Sequence, residues 1–347
     1  MQEDVLTPVE ALKEDKSFKR SLGLTDATMI VAGSMIGSGI FIVSADMLKD
    51  LGSAGWLIAA WLITGFMTLT AALSYGELSA MFPKAGGQYV YLREAYNPFI
   101  GFLYGWSFFA VIQTGTIAAV AVAFGKFLGY LAPSLGDGNI LLGSASGFKI
   151  TAAQMVGIFL ILLLTYINTK GIKSGKLIQT TFTSAKLLAL FGLIIFGFVA
   201  AKGIVWNQNW QNAWEIKQHI SRIDPNSTAH SWTPLLGVAA LGAIASAMVG
   251  SIFSSDAWNN VTFIAGEVKN PQRNIGLSLF LGTLIVTVIY VSTNLMYLSV
   301  LPIEQLAFAK DNRIALSVSL EIFGAVGATI LALLIMVSTF GCNNGLI

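Results

Sequence analysis

Gly33-Ser-Met-Ile-Gly-Ser-Gly-Ile-Phe41 places three glycines and two serines in the middle of an apolar run long enough to cross a bilayer. Inside hydrocarbon a freed backbone N–H or C=O is costly, so such an interruption is tolerated only where it is buried in protein or lines a polar cavity. A broken membrane helix therefore points to a binding site. Two half-helices meeting at Gly37 to Gly39 leave unpaired N–H groups, including that of Ser38, at the positive end of the outer half, where they can hold a carboxylate. The carbonyls around Ser34 and Met35, at the end of the inner half, are open to a cation or an ammonium group. These are the two ends of an amino acid. The plainer alternative, that small residues spaced by three simply let helices pack closely, remains open on this stretch alone.

A second interruption weighs against the plain alternative. Ser251-Ile-Phe-Ser-Ser-Asp-Ala-Trp-Asn-Asn260 puts three serines, an aspartate and two asparagines at membrane depth. Hydropathy predicts spans at about 24–50, 55–82, 98–131, 151–169, 177–201, 233–265, 275–300 and 313–345, so the two breaks fall in spans 1 and 6. Paired breaks at that interval predict a five-plus-five inverted repeat, with substrate held near the midplane between two discontinuous helices. A complete molecule then needs at least ten spans, and this chain supplies eight. It also stops at Gly341-Cys-Asn-Asn-Gly-Leu-Ile347 with no polar tail, so it reads as a fragment.

Composition agrees with a polytopic all-α membrane protein. Hydrophobic residues make up 55% and charged residues 11%, against roughly 25% charged in an ordinary soluble domain. Residues 1–23 are polar and lack a cleavable signal, which predicts a cytoplasmic N-terminal tail ahead of a transmembrane domain over 24–347. The loop of Lys170, Lys173 and Lys176 contains no acid and reads as an inside signal. With it Lys84, Arg93, Lys269 and Arg273 fall on the inner side of a multi-pass protein of the cell membrane. One cysteine, Cys342, and two histidines, His219 and His230, give no metal cluster and no internal disulfide. The charge pattern gives no reason to expect nucleic acid, and no nucleotide, zinc-hydrolase or serine-hydrolase motif occurs. An enzyme is therefore not expected, nor a cofactor. In the long loop 202–232, Trp206, Trp210 and Trp214 recur every four residues, as on one face of a helix at the membrane interface. Asn226-Ser-Thr228 matches a glycosylation acceptor.

Ionisable residues inside apolar spans are functional candidates. Lys186, in Thr183-Ser-Ala-Lys-Leu-Leu-Ala-Leu190, either supplies a fixed positive charge or snorkels to the inner face. Ten residues, about 15 Å at ~1.5 Å each, is far for a lysine to reach, which favours the buried role. Glu77, near the inner end of span 2, is either a gate contact or an interfacial acid. Asp256 either faces a substrate amine, titrates with protons, or caps the restarting half of span 6. Phe253 and Ser254 sit beside the second break, where Phe253 is positioned to cover a substrate.

Gly33–Phe41 resembles the first-span motif of the amino acid–polyamine–organocation superfamily, in its L-type amino acid transporter branch. Tyr75-Gly-Glu-Leu78, Pro83-Lys-Ala-Gly-Gly-Gln-Tyr89, Tyr91-Leu-Arg-Glu-Ala-Tyr96 and Phe340-Gly-Cys-Asn-Asn-Gly345 are similar to further family stretches in family order. The resemblance implies a twelve-helix alternating-access transporter of which helices 9 to 12 are absent here. It implies that Gly37, Ser38 and Gly39 hold the substrate carboxylate and that Met35 and Phe253 offer carbonyls to its ammonium group. It also implies that Phe253 gates the site and that Lys186 stands in place of a sodium ion. Sodium-independent exchange or uptake of neutral amino acids follows. Asp256 departs from the small residue of the eukaryotic L-type members, so a polyamine or cationic amino acid permease is the alternative, and a transporter-fold sensor another. The loop at about 132–150 lacks a cysteine, so no disulfide-linked glycoprotein subunit is expected.

Overall fold

The computed structural model describes residues 20–83, 85–144, 148–169, 172–223 and 231–347. Most of the N-terminal tail, Lys84, Lys170, the side chains of Lys173 and Lys176, the 226–228 acceptor and His230 lie outside the described residues.

The first span is α1 (Leu24–Met35) and α2 (Gly39–Leu51), bent by 41° at the break. The Asp26 carboxylate accepts the Gly23 N–H (3.0 Å) at the start of α1, and Gly52, at φ 53°, ends α2 in the left-handed region that favours glycine. Ser53 then caps α3 (Ala54–Met81) by accepting from the Trp56 N–H. After α4 (Gln88–Ala95), Asn97 and Pro98 start α5 (Pro98–Ser107), which runs through one π-helical segment at Phe108–Gln113 into α6 (Thr114–Leu131). A short hairpin, β1 (Ile140–Gly143) with β2 (Lys149–Thr151), leads to α7 (Ala152–Asn168), and α8 (Ile172–Val199) follows.

The long loop is structured. It holds α9 (Gly203–Trp210), β3 (Lys217–His219), α10 (Ile220–Ile223) and β4 (Trp232–Pro234), with β3 and β4 antiparallel. The tryptophan face is shorter than its spacing suggested: α9 stops at Trp210, and Trp214 turns back to pack edge-on against Trp56 at 5.8 Å. Asn209 fixes α9 by donating to the Leu298 and Leu301 carbonyls at 2.8 and 2.9 Å.

The sixth span is α11 (Gly237–Ser254) followed by 3₁₀ turns at Trp258–Thr262 and Ala265–Glu267. An α-helix does not resume there, because Ala257 takes φ 66° and the Ser-Ser-Asp and Asn-Asn side chains compete with the helical ladder. Then come α12 (Pro271–Val300), α13 (Ile303–Ala307) and α14 (Ile314–Leu346), the last kinked at Gly324 (φ 69°). Among the described residues six helices are long and apolar enough to cross a membrane, a seventh span is the bent α1–α2 pair, and α7 is a shorter apolar helix. Phenylalanines such as Phe66, Phe99, Phe109 and Phe159 are exposed on the outside of the bundle, as lipid contact requires.

Packing follows the repeat. Span 1 lies against span 6, span 2 against span 7, and span 3 against span 8, the pairing that two copies of a five-helix unit produce. The contacts are made through small residues, because helices in lipid associate by close packing. A Cβ on Gly76 of α3 would lie 3.0 Å from the Gly276 Cα of α12, and one on Gly282 of α12 would collide with Val31 of α1. Gly276→Leu is therefore expected to lower the melting temperature of the purified protein and its monodisperse yield, at a cost of about 1–3 kcal/mol or more from overpacking. Fluorescence-detected size-exclusion after heating checks this.

Candidate functional site

The break in the first span is surrounded by side chains that take its freed carbonyls. Lys186 of α8, 1% exposed, turns its ammonium inward and donates to the Gly33 carbonyl and to Ile36 O at 2.8 Å. It does not reach for the membrane face. Cys342 of α14 lies with Sγ 3.1 Å from Ser34 O. Tyr290 of α12 donates its hydroxyl toward Met35 O (3.0 Å) and Ser254 O (3.1 Å), touching both breaks with one oxygen. Ser338 of α14 reaches Ile36 O at 3.2 Å. Met35 O also accepts the Gly37 N–H at 2.9 Å, so this carbonyl, expected to be open to an ammonium group, already has two donors.

The other side of the break is different. The N–H groups of Ser38, Gly39 and Ile40 point out of the start of α2 with no acceptor among the described residues. Unpaired donors at the positive end of a helix attract an anion. Ser38 and Gly39 line a small cavity of about 20 Å³ together with Ser34, Gly37, Ser254, Asp256, Val120, Cys342 and Leu346. The buried Ser34 Oγ, on the same cavity, also lacks a partner. Both glycines matter for space: a Cβ on Gly39 would collide with Ser254, and one on Gly37 would lie 3.1 Å from Cys342 Sγ.

Phe253, Ser38 and Gly39 line both this cavity and a vestibule of about 420 Å³ that runs between α2 and α6 to Lys126. On the opposite side, toward the N-terminus, the bundle is closed. Tyr75 packs edge-on against Trp258 at 4.9 Å and against Tyr91 at 5.8 Å. Ser79 and Tyr91 share a hydrogen bond of 2.7 Å, and burial pushes the Tyr91 phenol above its ordinary value. Ahead of α1, Leu22 pairs with Val268 through Leu22 N–H to Glu267 O (3.0 Å) and Lys269 N–H to Leu22 O (2.8 Å).

The structure thus brings together Met35, Gly37, Ser38, Gly39, Phe253, Ser254 and Asp256 around one cavity, with Lys186 directly behind the break. Asp256 has no ion-pair partner among the described residues, and its carboxylate takes the Ala257 N–H at the start of the restarting turn, so the capping alternative stays open. Glu77 is exposed on α3 and does not join the cavity. Sequence reasoning missed Tyr290, Ser338 and Gln113. Gln113 closes the π segment and donates to Leu346 O at 2.7 Å, while the Asn343 amide pairs with Ile117 O and the Ala121 N–H. A tyrosine or glutamine inside an apolar span was the available signal, but only the fold tells which of them turns inward.

A bundle of apolar helices with two facing breaks, one lined by unpaired N–H groups and backed by a buried lysine, defines a multi-pass membrane protein of the broken-helix class. The chain belongs to the amino acid permease family, whose description matches residues 22–347. It is 30% identical over 332 residues to the serine/threonine exchanger SteT of Bacillus subtilis, covering 96% of this chain and 66% of that protein. Human large neutral amino acids transporter small subunit 2 is 30% identical over 95% of this chain and 56% of its own length. Mouse Asc-type amino acid transporter 1 is 28% identical over 96% and 57%. The chain thus spans just under two thirds of the first of these relatives and somewhat over half of the other two.

Tyr290→Phe removes the one hydroxyl shared by both breaks and leaves the Ser254 carbonyl without it. Loss of a buried partner costs about 1–3 kcal/mol, so ligand affinity is expected to fall about 5- to 100-fold while the fold persists. Radioligand binding beside a thermal-unfolding curve checks both parts.

Proposed function

We propose that the protein moves amino acids across the cell membrane by alternating access, as a sodium-independent exchanger or uptake system for neutral amino acids. The observation that carries this reading is the Lys186 ammonium on the Gly33 and Ile36 carbonyls, directly behind unpaired N–H groups. A fixed lysine occupies the carbonyls that a sodium ion would need, and the N–H end is left for the substrate carboxylate. In the working roles, Gly37, Ser38 and Gly39 bind the carboxylate, and Met35, Phe253 and Ser254 form the surround. Phe253 is the gate on the vestibule side, and Glu77 is a candidate contact on the inner side. The relatives' printed names, a large neutral amino acids transporter, an Asc-type amino acid transporter and a serine/threonine exchanger, support the substrate class.

The N-terminus is proposed to be cytoplasmic. Arg20, Arg93, Lys269 and Arg273 lie at the N-terminal side of the bundle, in line with the excess of basic residues in inner loops. The chain is read as the first eight spans, 24–347, of a longer transporter that works without a disulfide-linked glycoprotein subunit and without enzymatic chemistry. A second reading, a permease for cationic amino acids or polyamines, is favoured by one observation: Asp256 lines the cavity with no cationic partner among the described residues.

Uptake by the full-length protein in proteoliposomes tests both readings. Neutral amino acid uptake that is unchanged without sodium, rises with internal amino acid, and falls at least about tenfold in Lys186→Met and in Ser38→Trp supports the first. Saturable binding without flux would overturn it in favour of a sensor. Preference for a cationic substrate, lost in Asp256→Gly, would establish the second.

A further inference from the structure

We propose a second amino acid site, for an α-amino acid zwitterion, in a cleft on the vestibule side of the bundle; the proposal rests on the transport reading above. The cleft, about 430 Å³, lies between the end of α6, the turn before β1 and the turn leading into α14. Its floor is set by two glycines in backbone contact, since a Cβ on Gly129 would collide with the Gly136 Cα. Three cations and two carboxylates line it: Lys126, Lys310, Arg313, Asp137 and Asp311.

These charges are not equivalent. Arg313, 8% exposed, is fixed: it pairs with Asp311, donates to Lys126 O at 3.2 Å and lies 5.6 Å over the Tyr130 ring. Lys310 has no ion-pair partner among the described residues. Lys126 and Asp137 form a long pair, 3.5 Å apart with side chains 39% and 43% exposed, and a solvated pair of that length is weak and easily opened. The cleft therefore holds one uncompensated positive charge beside one loosely held opposite pair. A ligand carboxylate placed between Lys310 and Lys126 uses that excess charge, and its ammonium group takes over Asp137. A simple anion would leave Asp137 stranded, and a dianion such as phosphate would face both carboxylates.

Lys126 also lines the vestibule that leads to Phe253. A zwitterion held in the cleft is thus one side-chain swing from the vestibule, which makes the cleft a loading site for the central cavity.

Equilibrium dialysis of radiolabelled serine against the full-length protein in nanodiscs tests this. Two classes of bound serine are expected in the wild type. Ser38→Trp, which fills the central cavity, should keep only the weaker class. Adding Lys310→Gln and Asp137→Asn to Ser38→Trp should weaken that class at least tenfold. Those two substitutions without Ser38→Trp should keep the tighter class, showing that the fold survives. If Ser38→Trp alone abolishes all binding, or the weak class survives the charge changes, the cleft proposal falls and the transport reading stands. Displacement of the weak class by equimolar inorganic phosphate would also overturn it, by marking an anion site. If the wild type binds no serine in either class, both readings fall together.

Discussion

Everything near the centre of this bundle depends on one requirement: backbone groups freed by a break at membrane depth must find partners, because lipid supplies none. The break at Ile36–Ser38 frees carbonyls on one side and N–H groups on the other, and the protein treats them unequally. Donors from three later spans converge on the carbonyl end. Lys186 takes Gly33 and Ile36, Cys342 lies on Ser34, Tyr290 takes Met35, and Ser338 also reaches Ile36. No side chain takes the N–H end among the described residues. That asymmetry converts a structural defect into a polarity, with the negative end neutralised from within and the positive end left for something that arrives. It also explains why polar residues are distributed through spans 5, 7 and 8, far in sequence from the motif they serve.

The same break dictates where the small residues lie. Gly39 sits against Ser254, Gly250 admits Val43, and Tyr290 bridges Met35 and Ser254. The half-helices α2 and α11 are therefore in near backbone contact on the vestibule side, with little between them but the cavity wall. Side chains at those glycine positions would push the two breaks apart and separate the Tyr290 hydroxyl from one of its carbonyls. Close packing and the break are one constraint, so the packing reading of the glycine motif holds at Gly37 and Gly39 without filling the N–H end of α2.

The spans and the two interruptions were legible because hydrophobic length and glycine, serine or aspartate at membrane depth are strong local signals. Lys186 was legible for the same reason, being too far along an apolar helix to reach water. What was not legible depends on long-range geometry. The continuation of span 6 as 3₁₀ turns follows from the left-handed Ala257, a residue with no preference for that conformation; its polar neighbours announce an interruption but not the form it takes. Trp214 keeps the spacing of a helical face but leaves α9 because Trp56 offers an edge-on partner 158 residues away. Tyr290 is one of two tyrosines in α12, and only the packing of α12 on α1 and α3 decides which carbonyls its hydroxyl reaches. Glu77 was singled out by charge alone, and charge does not say which way an exposed face points.

The two sides of the site are closed by different kinds of interaction, and that difference bears on how the molecule works. Toward the vestibule the cavity is bordered by one aromatic ring, Phe253, together with Ser38 and Gly39. Toward the N-terminus the closure is a stack of Tyr75, Trp258 and Tyr91, together with backbone hydrogen bonds joining Leu22 to Glu267 and Lys269. Opening that side requires α1 to pull away from the 3₁₀ turns of span 6, breaking strand-like bonds and aromatic contacts at once. The Leu22–Val268 pairing joins the chain just ahead of α1 to the turns after the second break, so the N-terminal side cannot open while it holds. Separation on that side has to break the Leu22 backbone bonds and the aromatic contacts together, because the same 3₁₀ turns of span 6 carry both.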